Sequence, residues 1–122
     1  MSRRDALERV RAAGRRIAAL KAQILQIEHV ARGSLIERMK LCGKPGCPCA
    51  KDPAARHGPY FEWGRLTAGR RTSTHVSPAM AAPLAKSIQN HRRLERLLRR
   101  WEALTLRAIE AEIDANAASA GT

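Results

Sequence analysis

Three cysteines and a histidine stand within sixteen residues, spaced Cys42-x4-Cys47-x-Cys49-x7-His57. Three thiolates and one imidazole form the donor set of a closed, tetrahedral structural zinc site, with iron the other metal such sulfurs hold. Gly43 and Gly46 permit the tight turns by which backbone N–H groups approach ligated sulfur. Lys44-Pro45-Gly46-Cys47 places Pro and Gly where a type II turn takes them. Pro48 stiffens the link between Cys47 and Cys49, and Asp52, Pro53 and two alanines return the chain to His57. The spacing is irregular beside a paired C-x2-C framework, so a loop of three free thiols is the competing reading. Redox catalysis is disfavoured because no C-x2-C pair is present. A catalytic metal is disfavoured because four protein ligands close the coordination sphere. His29, His75 and His91 are reserve ligands, with His75, at the end of a strand, the best placed of them.

The second chemistry is charge. Twenty-three Lys and Arg against eleven Asp and Glu give a formal charge of +12 on 122 residues. A surface that basic repels itself unless a polyanion or a membrane surface neutralises it. No apolar run escapes interruption by Lys or Arg, so no membrane span is expected. An odd cysteine count without a signal-peptide pattern points to a reducing compartment, the cytoplasm. Arg92, Arg96, Arg99 and Arg100 fall within about 100° of a helical wheel, with Arg93 beside them, and guanidinium rows at that spacing suit phosphate. Lys44, Arg65, Arg70 and Arg71 supply a second basic region near Phe61 and Trp63. Those two aromatics could stack bases, but as nearly the only bulky strand residues they are expected to serve first as core.

The elements that must position these groups follow from periodicity. Ala6, Val10, Ala13, Ile17, Leu20, Ile24, Ile27 and Ala31 alternate steps of four and three, the narrow seam of a helix packed lengthwise on another. The spacing predicts one helix over 3–31, terminated by Gly33. Residues 34–76 read as a zinc-knuckle head. A strand over 34–41 precedes the cysteines, and strands over 60–66 and 71–76 are joined by a short connection containing Gly69. Ser77-Pro78 opens a second helix over 78–115, with Pro83 expected to force a kink or restart. Its apolar residues, among them Leu94, Leu97, Leu98, Trp101, Leu104 and Ile109, cover about 200°, wider than one partner helix can bury. Residues 116–122 read as a frayed tail. The fold class is α+β in the order α-β-β-β-α, a single domain in which two long antiparallel helices carry a three-stranded antiparallel sheet and the knuckle between them.

The runs Arg32-Gly-Ser-Leu-Ile-Glu-Arg, Cys42-Gly-Lys-Pro-Gly-Cys-Pro-Cys and His57-Gly-Pro-Tyr-Phe, followed by a Gly-containing hairpin and a long Arg-rich helix, resemble a family of small uncharacterised bacterial proteins. The resemblance spans roughly residues 32–107. It implies a genomic setting near transposases and other mobile-element genes, the same metal pattern, and no known activity. The residues point to a non-enzymatic, zinc-stapled accessory protein that binds nucleic acid, DNA ahead of RNA, through phosphates. No nucleophile elbow, phosphate loop or helix-turn-helix spacing is present. The second reading is a protein-interaction module, a homodimer through the last helix or a complex with a partner such as a transposase. Neither a membrane nor a small-molecule substrate is expected.

Overall fold

The computed structural model describes residues 2–120. Along the chain one helix precedes and one follows a three-stranded antiparallel sheet: α1 (Arg3–Leu25), β1 (Ser34–Lys40), β2 (His57–Thr67), β3 (Arg70–Val76) and α2 (Pro78–Ala120). Two short 3-10 turns, Pro48–Ala50 and Pro53–Ala55, lie between β1 and β2. The chain divides into two compact units, one joining the chain up to Glu28 with α2 from Arg92 onward, the other comprising His29–His91.

In the first unit the expected seam is present. Ala6, Ala13 and Leu20 are buried at steps of seven on α1, and Leu97, Ala111 and Ala115 are buried on α2. Small residues at these positions let two helices approach closely over several turns. Arg9 Nη1 meets Asp114 Oδ2 at 2.9 Å near one end, and Arg93 donates to Gln23 Oε1 at 3.4 Å near the other, so the helices run antiparallel. Ser2 caps α1, its Oγ accepting from the Asp5 N–H at 3.1 Å.

The first helix ends at Leu25, six residues before the expected Ala31. Beyond it the backbone bonds elsewhere: the His29 carbonyl accepts from Asn90 Nδ2 at 3.0 Å, and the Ala31 N–H donates to the Ser87 carbonyl at 3.0 Å. Gly33 therefore does not terminate the helix. It stands at φ +104, and a Cβ there would overlap the Gly64 carbonyl oxygen, so only glycine lets the chain enter β1 this close to β2.

The strand β2 is central, pairing with β1 on one side and β3 on the other. Leu35, Trp63 and Thr74 are cross-strand neighbours on one face, and Ile36, Glu62 and His75 on the other. β2 begins at His57, three residues earlier than expected, with an irregularity opposite Arg38 and Lys40. There Gly58 lies at φ +138, where a Cβ would press on the Arg38 carbonyl and the Met39 sulfur.

The second helix also departs from expectation. It runs unbroken through Pro83, and the restart is absent. Ser77 holds the first turn, its Oγ accepting from the Met80 N–H at 3.2 Å. Pro83 and Ala79, whose carbonyl the missing donor would have met, are both exposed, so that carbonyl is open to solvent and the helix continues. The residues read as a frayed tail are helical as far as Ala120, extended by an alanine-rich stretch in which Ala115 is buried; residues 121 and 122 lie outside the described residues. No helix among the described residues is long and apolar enough to cross a membrane.

Candidate metal centre and basic surfaces

Cys42 follows β1 by two residues and His57 opens β2, so the paired strands bring the two ends of the knuckle together. Between them the Cys47 N–H donates to the Lys44 carbonyl at 3.3 Å, with Gly46 at φ +80, the value the third position of a type II turn requires. The turn Pro48–Ala50 then buries Cys49, which is 2% exposed. Asp52 Oδ1 accepts from the Ala54 N–H at 3.0 Å and caps the second turn, which delivers the chain to His57.

The four side chains converge. Cys42 Sγ lies 3.5 Å from Cys49 Sγ, Cys47 Sγ lies 3.3 Å from His57 Nε2, and all four donor atoms fall within 4.8 Å of one another. A tetrahedral ion with metal–sulfur bonds of about 2.3 Å needs donors roughly 3.8 Å apart, so the set fits one ion with little movement. Among the described residues this is the one group of three or more His, Cys, Asp or Glu so placed. The backbone N–H of Lys44, with help from Cys47 and Cys49, draws the Cys42 thiol down to about 7. At Cys47 the N–H of Cys49 pulls down, but the Cys49 and Cys42 side chains and desolvation push harder, and the thiol is raised. Amides aimed at sulfur are the contacts that hold thiolates to a metal.

The reserve histidines are not part of this group. His75 Nε2 instead faces Glu62 Oε1 at 3.9 Å. Glu62 also meets Arg38 Nε at 3.5 Å and Lys40 Nζ at 3.4 Å, so one half-buried carboxylate links all three strands. No spacing along the chain announces this cluster, since Arg38, Glu62 and His75 become neighbours only once the register is set.

The basic residues of the head divide into engaged and open ones. Arg65 stacks 3.9 Å over the Trp63 ring and donates to Thr74 Oγ1 at 3.1 Å. Trp63 itself donates to the Arg32 carbonyl at 2.7 Å, so its ring and its N–H are both engaged within the head. Lys44, Arg70 and Arg71 are exposed. On α2, Arg92 and Arg96 are exposed, Arg93 reaches Gln23, and Arg99 sits 3.9 Å from Glu95. Arg100 lines a cleft of about 400 Å³ between the helices together with Arg16 and Arg107. Arg16 and Arg107 are missing from the wheel-based reading. The signal that finds them is the seven-residue spacing of Arg9 and Arg16 on α1 and of Arg100 and Arg107 on α2, which sets both pairs along one seam.

Comparison with curated proteins and with solved structures finds no match. A family described as a domain of unknown function, DUF6788, matches residues 4–84. The match covers α1 and stops early in α2, whereas the resemblance seen in the sequence spans residues 32–107. The chain thus belongs to the DUF6788 family, whose matched span takes in the whole sheet and all four candidate ligands.

Proposed function

We propose that this is a non-catalytic nucleic-acid-binding accessory protein of the cytoplasm, with a zinc ion stapling its head and phosphate contacts supplying most of the affinity. The observation that carries the reading is the line of Arg16, Arg100 and Arg107 along one cleft, with Arg92 and Arg96 exposed nearby, on a chain of charge +12. Guanidinium groups repeated along a helix pair meet phosphate oxygens with two-point hydrogen bonds and need no base contacts. Zinc fits the three-sulfur, one-nitrogen donor set, and with all four positions taken by protein it would add folding energy rather than chemistry. The setting near mobile elements that the sequence resemblance implies is consistent with such a partner.

Salt-titrated binding to random duplex DNA, single-stranded DNA and RNA tests the reading. Affinity should fall steeply as salt rises, and changing Arg96, Arg100 and Arg107 to Ser should flatten the logarithmic slope by about 0.9 for each duplex phosphate that the variant no longer neutralises. Unchanged affinity and slope in that variant, or no salt-sensitive binding at all, overturns it.

A further inference from the structure

We propose that the chain forms an antiparallel, two-fold symmetric dimer through a third face of α2. On that helix Leu98 is 40%, Leu106 63%, Ile109 46% and Ile113 59% exposed. The four span sixteen residues, about 24 Å of helix, and Leu98 and Leu106 border an open, mainly apolar depression lined also by Trp101, Thr105 and the Glu102 side chain. On a wheel of 100° per residue their mean direction lies about 160° from the seam of Leu97, Leu104 and Ala111, and about 140° from Arg96, Arg100 and Arg107. The stripe belongs neither to the packing against α1 nor to the arginine cleft. An apolar strip broken only by Glu102, on an otherwise strongly charged helix, marks a surface that another chain covers.

Charge names the occupant. Before the middle of the stripe, from Arg92 on, the helix carries Arg92, Arg93, Arg96, Arg99 and Arg100 against Glu95 and Glu102; beyond it come Glu110, Glu112 and Asp114 against Arg107. A second copy laid parallel would set like charge on like. Laid antiparallel about Thr105, it brings Leu98 of one copy beside Ile113 of the other and Arg99 of one within a turn of Glu110 of the other. Arg99 and Glu110 border the same edge of the stripe, and in an antiparallel pair like edges meet. Flanking charges of this kind set partner orientation in helix pairs, and two-fold symmetry makes each contact twice. The contact of Arg99 with Glu95 at 3.9 Å is exposed and weak, so it does not hold Arg99 from the new partner. The arginine cleft stays uncovered in this arrangement, so the dimer stands apart from the nucleic-acid reading, and either can fail alone.

Sedimentation equilibrium of the full chain tests it, with circular dichroism as the control for folding. The unaltered chain should associate to a dimer. Leu106→Glu and Ile109→Glu should each weaken that association by at least tenfold while leaving in place the melting curve recorded at a dilution where the chain is monomeric, because both side chains face solvent in the single chain. Arg99→Glu and Glu110→Arg should each weaken self-association, and an equimolar mixture of the two should recover it, since every edge contact in the mixed dimer is again between opposite charges. A monomer up to about 0.5 mM, a dimer indifferent to Leu106→Glu and Ile109→Glu, or a mixture no tighter than either charge variant alone overturns the proposal.

Discussion

The two units of this chain hold together by different means. In the helical unit, small and apolar residues are buried along both helices, from Ala6 to Leu20 and from Leu97 to Ala115. In the other unit Ala81, Leu84 and Ile88 are buried at the start of α2, but between Ser34 and Val76 the one buried hydrophobic residue is Cys49, itself a candidate ligand. A helix pair can live on its seam. A small sheet with so little apolar burial rests on its strand hydrogen bonds, the charges gathered on Glu62 and, on the proposed zinc reading, an ion at the cysteines.

The sharpest way to break this comparison is to remove the ion. Chelation, or Cys49→Ser, should cost the head most of its stability, of the order of 10 kcal/mol for a structural zinc site. Amide hydrogen exchange should then rise throughout 34–76 while the helical signal of α1 and of α2 beyond Arg92 persists; equal exchange with and without metal would show that the sheet stands alone. The converse variant is Leu20→Ala, whose side chain is 2% exposed in the seam. It should cost about 2–5 kcal/mol, lower the thermal midpoint of the helical signal and leave metal content unchanged.

Gly33→Ala comes next. The strain at φ +104 and the overlap with the Gly64 carbonyl should cost the head about 2 kcal/mol or more, read as faster exchange in β1 and β2. A finer effect concerns thiol reactivity in the metal-free protein. Cys42 is lowered from the ordinary 9.0 to about 7. Its thiolate therefore favours the folded head above the unfolded value, and that contribution disappears as pH falls from 9 through 7. Alkylation followed by peptide mass spectrometry should find Cys42 reacting first near neutral pH, ahead of the raised Cys47 and the buried Cys49. The smallest effect is Asp114→Asn, which removes the pairing with Arg9 at 2.9 Å between partly exposed side chains and should shift stability by less than about 1 kcal/mol.

Much of this division is legible in the sequence. The seam on α1 can be read because a seven-residue repeat needs no knowledge of the partner, and the ligand set because thiols and imidazole are rare and lie close in sequence. The end of α1 cannot. Ile27 and Ala31 continue the apolar spacing, yet Ser87 and Asn90, some sixty residues away, take the carbonyls and N–H groups of the segment after Leu25. Pro83 misleads for a related reason, since its cost depends on whether the orphaned carbonyl meets water, which is a property of the folded surface. Arg16 joins Arg100 and Arg107 only through the pairing of two helices, so a single-helix wheel finds one side of the cleft.

The candidate ligands of the knuckle are all contributed by one short stretch, Cys42 to His57, in which no donor comes from either helix. An ion captured there ties off a loop of about fifteen residues, whose closure entropy is small. The staple can accordingly be set while the rest of the chain is still disordered. During synthesis the metal could be loaded once His57 has emerged, before β3 and α2 can fold, so that the knuckle is a nucleus on which the later strands and helix build rather than a product of their folding.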